Sequence, residues 1–105
     1  MADTDTKSEV RTRIEPKTNI TEPRQYNVVY INDEVTTQDF VVETLVTIFN
    51  YGRETAEALC MQVHEKGSAV VATLPYEMAE QKGIEVTLLA RHNGFPLVVK
   101  IESEN

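Results

Sequence analysis

The chain is poor in the materials from which small catalytic, metal-bound or membrane proteins are built. One cysteine, Cys60, stands among 105 residues, so no internal disulfide forms and no cysteine cluster holds a metal. The fold must rest on packing, and a lone thiol agrees with a reducing compartment, the cytoplasm. No apolar run reaches the length of about 18 residues that a membrane helix requires, so a soluble protein is expected. Residues 1–17 lack the apolar centre of a secretory signal, and their mixed charges do not match an Arg-rich transit peptide. Basic residues are also scarce: 10 against 17 acidic give a net charge of -7, which repels phosphate backbones and anionic lipid. Nucleic acid and membrane are therefore not expected partners. There is no Gly-rich phosphate loop, no metal-ligand cluster and no nucleophile elbow, so neither a cofactor nor a catalytic residue is expected.

What is present falls into two parts. Residues 1–25 are dominated by Thr, Lys, Glu, Asp and Pro, with Pro16 and Pro23 interrupting any helix. Such a segment buries too little surface to offset its ordering entropy and reads as a flexible arm. Residues 26–105 read as one domain. Tyr26 to Ile31 supplies the aromatic and β-branched residues of a first strand. The polar loop Asn32-Asp33-Glu34-Val35 follows, then Thr36, which stands three residues before Asp39 in the manner of a helix N-cap. A helix is predicted to about Phe49, with Val41, Leu45, Ile48 and Phe49 on one stripe.

A second helix is predicted from Arg53 to Lys66, with Ala56, Leu59, Cys60 and Val63 on its apolar face and Gly67 as its cap. Ser68 to Leu74 is short and rich in Val and Ala, which predicts a central strand. Pro75 opens a third helix running to about His92; Asn93-Gly94 ends it, and Pro96 to Ile101 forms a last strand. The order β-α-α-β-α-β, without a repeated βαβ unit, predicts an α+β fold: a two-layer α/β sandwich of three mainly antiparallel strands packed against three helices.

Two arrangements bear on chemistry, and each has a plain alternative. Cys60 and His64 lie four apart on one helix and share a face, the spacing of a thiolate–imidazole pair. Cys60 also sits on the apolar stripe, where a cysteine acts as a small hydrophobe. The loop Asn32-Asp33-Glu34 is rich in acceptors, and it is equally the standard material of a strand-to-helix turn.

Taken in order along the chain, several short motifs carry a likeness that none carries alone. They are Asn32-Asp33-Glu34 followed by Thr36 and Phe40-Val41, and Val63-His64 with Gly67 three residues on. Tyr76-Glu77 follows, with Ala79-Glu80 and Lys82, and then Ala90-Arg91 and Pro96-Leu97. On these, residues 26–102 resemble the ClpS family of N-degron adaptors. The resemblance implies that Asn32, Asp33 and His64 hold the free α-amino group of a substrate protein. It implies that Thr36, Gln38, Val41, Cys60, Val63 and Leu97 line an apolar socket for a first residue that is Leu, Phe, Tyr or Trp. An ammonium offers only donors, so acceptors of these kinds suit it. Glu77 and Lys82 match positions that contact the N-terminal domain of a Clp AAA+ unfoldase of the ClpA type, and the arm matches an extension that the unfoldase engages during handover.

Where many members carry methionine this chain has Gln38 and Cys60, and where they carry aspartate it has Glu34. Glutamine brings a polar head to the socket and cysteine is smaller than methionine. A narrower or reweighted preference among the four residues is the expected result, as in a specialised second copy. Two other readings stay open: a generic interaction domain resembling the C-terminal domain of ribosomal stalk proteins, and a small enzyme using Cys60 and His64.

Overall fold

The structure, a computed structural model, describes residues 24–104; the expected arm lies outside them except for Arg24 and Gln25. The elements are β1 (Gln25–Ile31), α1 (Gln38–Thr47), α2 (Arg53–Lys66), β2 (Ser68–Pro75), α3 (Tyr76–His92) and β3 (Val98–Ser103). This is the predicted order. The sheet order is β2-β1-β3 and both pairings are antiparallel. The central strand is therefore β1 and not the Ser68–Leu74 segment. Val28, Val29 and Tyr30 are buried in the middle of this strand, which has a neighbour on each edge, whereas β2 has one partner and leaves Val70 exposed.

All three helices lie on one face of the sheet. Tyr30 stands opposite Ala69 and Val99, Val28 opposite Ala72 and Ile101, and these residues join the core with Val41, Leu45, Ala56, Cys60, Val63, Val86 and Leu97. Between Val28 and Val29 the register of β2 slips, inserting Val71 as a bulge. Val71 is buried, and its carbonyl accepts the Tyr51 hydroxyl from the α1–α2 connection. Inside the core the Tyr30 hydroxyl meets Thr44 Oγ1 at 2.7 Å, and the Thr44 hydroxyl donates to the Val41 carbonyl at 2.8 Å. Each buried oxygen thus has a partner.

The cap of α1 differs from the expectation. Thr37, not Thr36, has the extended backbone of an N-cap, and its hydroxyl accepts the Phe40 N–H at 3.1 Å. Thr36 is already engaged by Asp33, so the helix starts one residue later. It ends at Thr47, which leaves Ile48 and Phe49 half-buried beyond its last turn. Gly67 caps α2 with φ 89°, a left-handed conformation, and returns its N–H to the Val63 carbonyl at 3.0 Å. On α3, Gly83 lets the helix approach β3 closely, since a Cβ there would lie 3.2 Å from the tip of Ile101. No helix among the described residues is long and apolar enough to cross a membrane.

Candidate functional site

The acceptor loop is held by the aspartate at its centre. Asp33 Oδ1 accepts the N–H groups of Val35 and Thr36 at 2.8 and 2.7 Å, and Oδ2 accepts the Thr36 hydroxyl at 2.8 Å. This Asx turn folds the chain from β1 into α1. Partial burial of the Asp33 carboxyl acts to raise its pKa. The bonds from Thr36 and Val35 and the nearby Arg91 charge outweigh burial, and the group is held below its ordinary value. Oδ2 keeps acceptor capacity beyond the Thr36 bond, because a carboxylate oxygen can take two donors.

Asn32 precedes the turn and is exposed. Its N–H donates to the Gly67 carbonyl at 2.9 Å, continuing the β1–β2 ladder one step past Ile31 and Ser68. This bond fastens the loop to the C-terminus of α2. His64, exposed in the last turn of α2, lies three residues before that cap. The structure thus gathers the loop and the histidine-bearing helix end on one side of the sheet, where β1 ends and β2 begins.

The predicted socket residues come from the β1–α1 loop, α1, α2 and the connection into β3. Val41, Cys60, Val63 and Leu97 belong to one core cluster and are 6%, 3%, 2% and 1% exposed, so they are packed inside and not on an open rim. Thr36 is half-buried beside Asp33, and Gln38 is exposed at the start of α1. Gln38 and Cys60 meet directly: the thiol donates to the Gln38 carbonyl at 3.6 Å, and both line a cavity of about 300 Å³. Asp39, Val42, Glu57 and Met61 complete its walls. These four were not foreseen, although helical spacing carries the signal for two of them. Val42 stands four residues after Gln38 and Glu57 three before Cys60, whereas Asp39 and Met61, each one residue on, are not signalled by that spacing.

The Cys60–His64 pair has no support in this geometry. Burial pushes the Cys60 thiol up, and the Asp39 and Glu57 carboxylates push it further, so a thiolate is disfavoured. His64 is exposed, while Cys60 is buried and donates to the Gln38 carbonyl of α1. Among the described residues no group of His, Cys, Asp and Glu is placed to hold a metal ion.

Glu77 and Lys82 lie on α3, away from the loop. Glu77 is exposed and borders a depression with Arg24, Tyr26, Pro75 and Tyr76, near the start of β1. Asn32 follows the end of that strand, about 20 Å away along it. Lys82 is half-buried, and its Nζ donates to the Ile48 carbonyl at 2.9 Å just past the C-terminus of α1, where a cation suits the helix dipole.

Comparison with known proteins follows the same outline. The family model described as ATP-dependent Clp protease adaptor protein ClpS matches residues 21–100. The chain is 43% identical over 81 residues to the ATP-dependent Clp protease adapter protein ClpS of Treponema denticola, covering 77% of this chain and 80% of the relative. It is 38% identical over 95 residues to that of Wolinella succinogenes, covering 90% and 93%. Among solved structures, Agrobacterium tumefaciens ClpS2 bound to L-phenylalaninamide superposes with a TM-score of 0.77 at 36% identity, over 79% of this chain and 100% of that one. With the three-stranded antiparallel sheet and three helices in the same arrangement, these matches show that the chain belongs to the ClpS family of ATP-dependent Clp protease adaptor proteins.

Proposed function

We propose that this adaptor binds proteins by a free, bulky apolar N-terminal residue (Leu, Phe, Tyr or Trp) and delivers them to a Clp AAA+ unfoldase for degradation. The observation that carries the reading is the bond from Asn32 to Gly67, which sets the acceptor loop beside the end of α2 that bears His64. An α-ammonium group brought there meets the Asp33 carboxylate, an amide oxygen of Asn32 and a ring nitrogen of His64. The reading assigns the apolar floor for its side chain to Val41, Cys60, Val63 and Leu97, which share one core cluster. The ClpS2 relative supports the reading, since L-phenylalaninamide carries both a free α-amino group and an aromatic side chain. The role is that of a cytoplasmic binding protein and not of an enzyme.

Burying the first side chain contributes about 1.5–3 kcal/mol and each charge-assisted hydrogen bond a similar amount, which after the association cost leaves affinity of roughly micromolar order. Glu77 and Lys82 serve the unfoldase side, docking on an N-terminal domain of the ClpA type at the opposite end of β1. Gln38 and Cys60 reweight the preference among the four residues. Fluorescence anisotropy with labelled peptides differing only at the first residue tests the reading. Saturable binding of free Leu, Phe, Tyr and Trp termini is expected, with loss on acetylation and in His64→Ala. Equal binding of free and acetylated termini would overturn it.

A further inference from the structure

Between α3 and β3 the chain makes a short connection, Asn93 to Leu97, that is fixed more firmly than its length requires. Gly94, at φ 80°, and Phe95 return their N–H groups to the carbonyls of Arg91 and Ala90 at 3.0 and 2.8 Å, a Schellman turn that satisfies the end of α3. Asn93 Nδ2 adds a bond to the Leu89 carbonyl at 2.8 Å. The helix end needs nothing further. Yet the Arg91 guanidinium reaches past the turn, and its Nη1 donates to the carbonyls of Phe95 and Leu97 at 3.0 and 2.8 Å. On the other side of the connection the Phe95 ring packs on Phe40 of α1 with centroids 4.9 Å apart. Leu97, held by these anchors, is fully buried in the core cluster.

We propose that Arg91 is a positioning residue of the binding site: it clamps the Phe95–Leu97 connection so that the Leu97 side chain stands as a fixed wall of the socket. The inference rests on the N-terminal-residue reading above. A guanidinium suits the task because Nη1 holds its two N–H groups in one fixed plane, one for each carbonyl, and is always charged, whereas a lysine ammonium turns freely on a flexible stem. The same charge faces the Asp33 carboxyl and helps keep it ionised, so the wall and the acceptor loop are referred to one group. The arrangement explains why an arginine occupies the last turn of α3 when the turn itself is already satisfied.

The test uses the full chain and a labelled peptide beginning with a free Phe, with cooperative urea unfolding as the check that each variant is folded. Arg91→Gln is expected to weaken binding about tenfold and Arg91→Lys about threefold, since a lysine ammonium is not pre-organised to hold both carbonyls. In a Leu97→Ala background the Arg91→Gln change is expected to cost no more than about twofold, because the wall it positions is gone. A general loss of stability would instead act equally in both backgrounds, and additive effects overturn the inference. So does an Arg91→Lys variant that binds like the wild type, which keeps the test decisive if Arg91→Gln does not fold. Wild-type binding that is lost on acetylation but untouched by Arg91→Gln removes this inference alone; no wild-type binding removes the N-terminal-residue reading and this inference with it.

Discussion

Asp33 organises the loop through three hydrogen bonds and is also proposed to hold a substrate's ammonium, and two substitutions separate these tasks. Asp33→Ala removes all three bonds, but in a half-exposed loop the freed donors turn to water. Each bond then counts at the low end of its range, for a total loss of about 1–2 kcal/mol and a fall in Tm of about 5–10 °C. Asp33→Asn keeps an amide oxygen where Oδ1 stood, so the Val35 and Thr36 N–H bonds persist. The amide NH2 takes the place of Oδ2, and the Thr36 hydroxyl turns from donor to acceptor. The expected loss of stability is only about 0.5 kcal/mol. Binding of a free N-terminal Phe peptide should nevertheless fall about 10- to 100-fold, because a charge-assisted contact is replaced by a neutral amide. Thermal unfolding and anisotropy on the same samples read the two effects. The carboxyl sits below its ordinary value of about 3.9, so its contribution is complete above that pH and is lost as pH falls through the lower folded-state value. Asp33→Asn should remove that acid-side loss. If the Asn variant binds within about twofold of wild type, Asp33 is a turn residue and nothing more.

Other consequences are as direct. Burial pushes the Tyr30 phenol well above its ordinary value, against a smaller opposing effect of the Thr44 bond, so stability is complete below about pH 10 and declines above it as the unfolded chain ionises; Tyr30→Phe should flatten that decline in urea titrations. Thr44→Val strands the Tyr30 hydroxyl and should cost about 1–3 kcal/mol, while the same change in Tyr30→Phe should cost less, and additivity of the two would refute the pairing. Gly67→Ala meets no neighbouring atom within 4 Å, so its expected loss of about 1–2 kcal/mol by chemical denaturation is purely that of a left-handed alanine. Cys60 should react with a thiol-alkylating reagent at least about tenfold more slowly in the native protein than in urea, and a fast native reaction would contradict the buried, raised thiol.

The helices and strands were legible because each carries its own local signal. Gly67 follows a stripe of Ala56, Cys60 and Val63, and the helix predicted from about Arg53 to Lys66 is found as α2. Strand order was not legible: Ser68–Leu74 and Tyr26–Ile31 are both short and apolar, and only pairing decides which has two neighbours. The choice between Thr36 and Thr37 as cap turned on which hydroxyl Asp33 engages, a three-dimensional fact that the spacing to Asp39 does not encode. At the site, the acceptor loop and the apolar floor were readable as residue types, whereas their meeting depends on the Asn32–Gly67 bond between segments 35 positions apart. Lys82 and Arg91 show the same limit, since each bonds backbone carbonyls that no side-chain pattern announces.

The strand in the middle of the sheet is the first of the three to be synthesised, and the neighbour on one of its edges is the last. While the chain emerges from the ribosome, β1 can pair with β2 early, but its other edge stays bare until β3 arrives. The segment that brings Leu97 comes directly before β3, so one late event both seals that edge and completes the proposed socket. On the proposed function a nascent chain gains its grip only as its sheet closes, and one interrupted before Leu97 would offer unpaired backbone to its surroundings while holding no cargo.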